Sequence, residues 1–159
     1  INSLIPIDML SVSRISHASQ RLFEGELIRT VLKNKFDGKL TFTLKELLGT
    51  WSENAALFSV GETVTGVVRS VESYGVFVEL MPNLAGLAEP CDDLVPGQCV
   101  SVYIKSIIPD KMKIKLVIVQ AFDSAAVQSE LVYFDERDHI DSWHFSPTGA
   151  IKTVETYFE

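Results

Sequence analysis

The chain has 159 residues, 47% of them hydrophobic and 22% charged, with a formal net charge of −7. That length gives one ordinary domain or two small ones, and the composition is that of a folding chain. Apolar runs reach only four residues, as at Leu116 to Val119, against the ~20 a membrane-spanning helix needs. No secretory signal pattern opens the sequence. Cys91 and Cys99 read as free thiols of a reducing, cytoplasmic compartment. An acidic balance argues at first sight against nucleic acid, because phosphate contacts draw on basic faces.

Residues 1–48 read as the back half of a strand-rich unit. Within them Leu22 to Leu44 reads as two strands joined at Asp37-Gly38, a pair with turn chemistry. Residues 49–56 form a junction. A complete unit is expected over residues 57–118. Thr63 to Val71 is its first strand, rich in β-branched residues. Tyr74 to Leu80 is the second, with Val76, Val78 and Leu80 on one face and Phe77 and Glu79 on the other. Gly75 is expected to mark a bulge or bend at its start. Met81-Pro82-Asn83 is a turn, and a short strand follows near Leu84 to Ala88. Then Val100, Val102 and Ile104 alternate with Ser101, Tyr103 and Lys105. After a Pro109-Asp110 turn, Met112, Ile114 and Leu116 alternate with Lys111, Lys113 and Lys115. Period two places one face in a core and one in water. About five short strands with a bulge glycine predict an all-β fold, a small five-stranded barrel of the OB type.

The tail, residues 119–159, is acidic and rich in aromatic residues. Three strands are expected in it: Glu130–Phe134, His139–Phe145 and Ile151–Tyr157, with a turn at Ser146-Pro147-Thr148-Gly149. Unpaired strand edges need a partner, so the tail is expected to pack on the barrel or on the first segment. The charge is uneven: +1 over residues 1–56, −2 over 57–118 and −6 over 119–159. The acidity belongs mainly to the tail, and the exclusion of nucleic acid lapses for the rest.

An internal repeat ties the first two parts together. Leu22 to Leu44 aligns without a gap with Leu94 to Leu116, at a spacing of 72 residues. Leu22, Gly25, Lys33, Lys39 and Leu44 meet Leu94, Gly97, Lys105, Lys111 and Leu116. No front half precedes the first copy, so the chain is expected to begin inside a repeat.

The stretch VGETVTGVVRSVESYGVFVELMPNLAGLAE resembles the front half of the RNA-binding repeat of bacterial ribosomal protein S-one. Gly61 to Val68 matches its G-x-x-V-x-G-x-V strand, Tyr74 to Leu80 its YGxFVxL strand, and Gly86-Leu87 the segment after it. LVPGQCVSVYIKSI and KMKIKL are similar to its back half. Trp51-Ser52-Glu53-Asn54-Ala55 resembles the junction between consecutive repeats. The resemblance covers roughly residues 3–118 and implies an OB fold that binds single-stranded RNA, without catalysis, in translation or mRNA handling. It implies base stacking by Tyr74 and Phe77 and phosphate contact by Lys113. By strand position, Lys115, on the same strand face, with Arg69 on the first strand and Lys105 on the fourth, is expected to extend the stripe. Phe77 packed under a loop or the tail, and lysines on a merely solvated face, are the other readings of the same residues. A repeat that docks on another protein or the small ribosomal subunit is the alternative function.

Three departures bear on this. Glu89 stands where the family often has a histidine, and Pro6 is its counterpart in the first copy. The family's acidic residue before the closing strand falls on Ile108, or on Asp110 with a shift. The connection from Leu87 to Leu94 is 11 residues shorter than that from Leu4 to Leu22.

No phosphate-binding loop, nucleophile elbow or H-E-x-x-H motif is present, so no enzyme, cofactor or small-molecule substrate is implied. Cys91 and Cys99 lack CxxC pairing. His139, Asp141 and His144 are read as surface groups of a strand and not as metal ligands.

Overall fold

The computed structural model describes residues 2–125 and 131–158. The first segment contains β1 (Asn2–Leu4), β2 (Val31–Phe36) and β3 (Lys39–Thr43). They form a sheet of order β1-β3-β2, with β1 parallel and β2 antiparallel to β3. Asp37 and Gly38 both take positive φ in the β2–β3 turn. A short helix, α1 (Trp51–Ala55), leads to β4 (Thr63–Glu72), β5 (Gly75–Met81), β6 (Leu84–Ala88), β7 (Gln98–Ile108) and β8 (Lys113–Ala125). These five close into a barrel of order β4-β5-β6-β8-β7. The tail adds β9 (Ser142–His144) and β10 (Glu155–Tyr157), an antiparallel pair. The protein is all-β, with an OB-type barrel at its centre.

The internal repeat has a structural counterpart. The order β1-β3-β2 is the order β6-β8-β7, with one parallel and one antiparallel pairing in each. Gly25 and Gly97, aligned in the two copies, share left-handed φ values of 89° and 92°. Leu44 and Leu116 are both fully buried.

The alternation in β5, β7 and β8 builds the barrel core. Val68, Val76, Val78, Val100, Val102, Ile104, Ile114 and Leu116 are all buried, and each such side chain stabilises the fold by about 1.5–3 kcal/mol relative to exposure. The junction motif adds to this core. Thr50 and Glu53 form a capping box: the Thr50 hydroxyl accepts from Glu53 N at 3.1 Å, and the Glu53 carboxylate from Thr50 N at 3.0 Å. That start sends Trp51 into the barrel core. It also buries Asn54, which donates to the carbonyls of Leu48 (3.0 Å) and Thr50 (2.9 Å). Asn83, in the β5–β6 turn, ties the first segment down. It accepts from Val12 N and donates to the carbonyls of Lys45 and Gly49.

The tail packs on both parts. Trp143 and Phe145 lie in the barrel core, while Leu131 and Tyr133 rest on the small cluster of Leu10, Leu44 and Leu48. Phe134 lies so close to Gly49 that a Cβ there would come within 2.6 Å of its ring.

Four expectations are corrected. Gly75 pairs regularly with Glu72; the register shifts fall at Val68/Ser70 and Glu79/Met81 instead. Gly75 is needed for close packing, because a Cβ would meet the Ala88 carbonyl at 2.5 Å. Residues 131–134 form no strand, since Phe134 N donates to the Leu47 carbonyl at 2.8 Å and not to a sheet; Glu130 lies outside the described residues. The other two tail strands are only three residues each. The barrel's last strand runs past residue 118 to Ala125, which pairs with Gln98. Among the described residues no helix is long and apolar enough to cross a membrane.

Candidate nucleic-acid interface

Strand β5 sets the site. Val76 and Val78 point into the barrel and are fully buried, so Phe77 between them faces outward. Pairing across the sheet carries this position onward. Phe77 is opposite Ser70 on β4 and Leu87 on β6, and Leu87 is opposite Lys115 on β8. Side chains opposite one another on paired strands lie ~4.5–5.5 Å apart at Cβ. Phe77, Leu87 and Lys115 therefore make one continuous outer row. Tyr74, in the turn before β5, is 61% exposed. Its ring stands edge-on to Phe77, with centroids 6.2 Å apart and planes at 83°. Lys113 follows two residues from Lys115 on the same strand face, and both lysines are exposed. Among the described residues neither has a carboxylate in ion-pair contact.

Two of the expected basic residues have other partners. Lys105 is exposed, but its Nζ lies 3.4 Å from Glu89 Oε1. Both groups are well solvated, so this pair is worth only about 0–1 kcal/mol and opens readily. Arg69 is held more firmly. Its Nη2 donates to Glu79 Oε2 at 3.1 Å, and its side chain is only 12% exposed. Glu79 faces the same side as Phe77, yet it is buried, because Arg21 of the first segment reaches across to it. Arg21 Nη1 donates to Glu79 Oε2 at 2.8 Å and its Nη2 to Oε1 at 2.5 Å. One carboxylate between two guanidiniums is a structural clamp joining the first segment to the barrel. Arg69 thus departs from the exposed stripe expected of it.

The structure brings together Tyr74, Phe77, Lys113 and Lys115, and adds Leu87, which the sequence reading passes over. Its signal is the alternation of β6: Leu84, Gly86 and Ala88 are buried, while Leu87 is exposed. The arrangement offers ring faces and an apolar side chain for bases, flanked by two exposed cations for phosphates. Elsewhere, His139 contacts Asp141 at 2.8 Å and His144 contacts Glu155 at 3.0 Å. Among the described residues no group of three His, Cys, Asp or Glu is placed to hold a metal ion. The Arg137 guanidinium hydrogen-bonded to Asp135 holds that carboxyl below its ordinary value.

No family model matches the chain. Small ribosomal subunit protein bS1 of Chlamydia muridarum is 32% identical over 131 residues, covering 73% of this chain and 23% of that protein. The bS1 homolog of Bacillus cereus is 25% identical, covering 95% of this chain and 43% of its own length. A 4-hydroxy-3-methylbut-2-enyl diphosphate reductase of Clostridium tetani is 28% identical over 77% of this chain and 22% of the enzyme. The chain spans less than half the length of each of these relatives.

Proposed function

This chain carries an RNA-binding repeat of the bacterial ribosomal protein S-one type, and from that premise we propose that its barrel binds single-stranded RNA, without catalysis, in the cytoplasm. The setting is translation or the handling of mRNA on the small ribosomal subunit. The observation that carries the reading is the outer row Phe77–Leu87–Lys115 with Tyr74 beside it. Bases stack on Tyr74 and Phe77, and phosphates meet Lys115 and Lys113. Each stacked base contributes about 1–3 kcal/mol and is read with little sequence preference, because every base has a π-face. Lys105 joins when its solvated contact with Glu89 opens. A repeat that docks on protein is the second reading, favoured by the exposed carboxylate of Glu89, which lies against Lys105.

Titration of a labelled oligopyrimidine RNA at several salt concentrations tests the choice. Phe77→Ala is expected to weaken binding by about 1–3 kcal/mol, roughly 5–150-fold, and affinity is expected to fall steeply with salt. Tyr74→Ala, at an exposed turn position, gives a second variant that leaves the barrel core alone. Equal and negligible binding by all three proteins would overturn the RNA reading in favour of protein docking.

A further inference from the structure

We propose that the tail supplies a cation to the RNA path, with Lys152 continuing the lysine row of β8 beyond the β7–β8 turn; this rests on the RNA-binding reading above. The loop carrying Lys152 is fixed at both ends. Phe145, anchored in the barrel core, donates its N–H to the Val154 carbonyl at 2.9 Å. Val154 N in turn donates to the Ser146 hydroxyl at 2.7 Å. Within the loop, Ala150 N donates to the Pro147 carbonyl at 3.1 Å. Ile151 N then donates to the Asp110 carbonyl at 2.8 Å. That bond joins the residue before Lys152 to the residue before Lys111, so both lysines follow directly from one backbone contact. Lys113 and Lys115 continue the series along β8.

Charge supports the same assignment. The tail totals −6, but between Ser142 and Val154 its only Asp, Glu, Lys or Arg is Lys152. Lys111, Lys113, Lys115 and Lys152 are all exposed. Among the described residues none of the four is in ion-pair contact with a carboxylate. Two tail acids have their own partners, Asp135 with Arg137 and Glu155 with His144. Asp110, also exposed, is the turn's own carboxylate, next to Lys111 in the chain. The part of the acidic tail that touches the barrel at its lysine-bearing turn is therefore basic.

The experiment compares the whole chain with Lys152→Ala, Lys152→Arg and Lys115→Ala. The probes are labelled oligouridine RNAs at the two ends of the span seen for OB folds, about 4 and about 16 nucleotides. With the long RNA, Lys152→Ala is expected to reduce the slope of log affinity against log salt by about 0.7, the share of one phosphate contact on a single strand. Lys152→Arg is expected to keep it. With the short RNA, Lys152→Ala is expected to match the unaltered chain, because the aromatic row is occupied first, while Lys115→Ala is expected to weaken both. If Lys115→Ala weakens binding and Lys152→Ala leaves the long RNA's slope unchanged, the tail assignment is wrong and the RNA reading stands. If the unaltered chain binds neither RNA, both fall together.

Discussion

The first sheet and the back of the barrel use the same strand order, but they cover their inner faces by different means. In the barrel, β4 and β5 close over β7 and β8, and Ile114 and Leu116 are buried. In the first sheet, Leu44 lies under Leu10 and Leu48, with Leu131 and Tyr133 of the tail packed against them. Phe42, the counterpart of Ile114, lines an open hollow of about 350 Å³ with Leu4, Ile5, Leu10 and Leu22. The first sheet is thus held by what borrows its surface: the tail, Asn83 and the Arg21–Glu79 contact. The proposed RNA-binding row lies on the barrel alone. Only the barrel has a β5, and with it the Tyr74 and Phe77 that give the outer face its rings.

The largest expected effect comes from breaking the clamp between the two regions. Glu79→Ala strands the buried guanidinium of Arg21 and the partly buried one of Arg69, and removing one partner of a buried ion pair costs about 3–5 kcal/mol. Urea unfolding is expected to show that loss, with the first sheet released before the barrel. A change below about 1 kcal/mol, the value of a solvated surface pair, would show that the clamp is dispensable. A finer contrast comes from the matched leucines. Leu116→Ala is expected near the top of the about 2–5 kcal/mol range for such truncations, and Leu44→Ala near the bottom, because the neighbouring hollow lets the site relax. Equal costs would mean that the first sheet is as tightly packed as the barrel.

The smallest effect is on pH dependence. Arg137 depresses the Asp135 carboxyl in the folded chain, while the unfolded chain has the ordinary, higher value. The resulting stabilisation is present at neutral pH and above the ordinary carboxylate value, and it is lost as pH falls through the depressed folded value. In an NMR titration Arg137→Ala is expected to return Asp135 toward the ordinary value. An unmoved titration would assign the shift to another cause.

The barrel was largely legible because its signals are local. Alternation in residues 76–80, 100–105 and 111–116 marks buried and wet faces, and that of 76–80 is what turns Phe77 outward. What escaped depends on distant partners. Arg69 looks like a surface cation until Arg21, 58 residues from Glu79, is seen to bury the carboxylate between them. Residues 131–134, with Val132 and Tyr133, have strand propensity, yet the Phe134 N–H is taken by Leu47. Lys152 was hidden by a net charge summed over a segment in which acid and base stand apart.

RNA is expected to meet the barrel's outer row and leave the first sheet alone. Amide chemical-shift mapping of the whole chain during titration with an oligopyrimidine RNA tests it most directly. The predicted result is that the largest shifts cluster at Tyr74, Phe77, Leu87 and Lys115, while residues 31–43 stay still. Shifts concentrated in residues 31–43, or none at all, would contradict it.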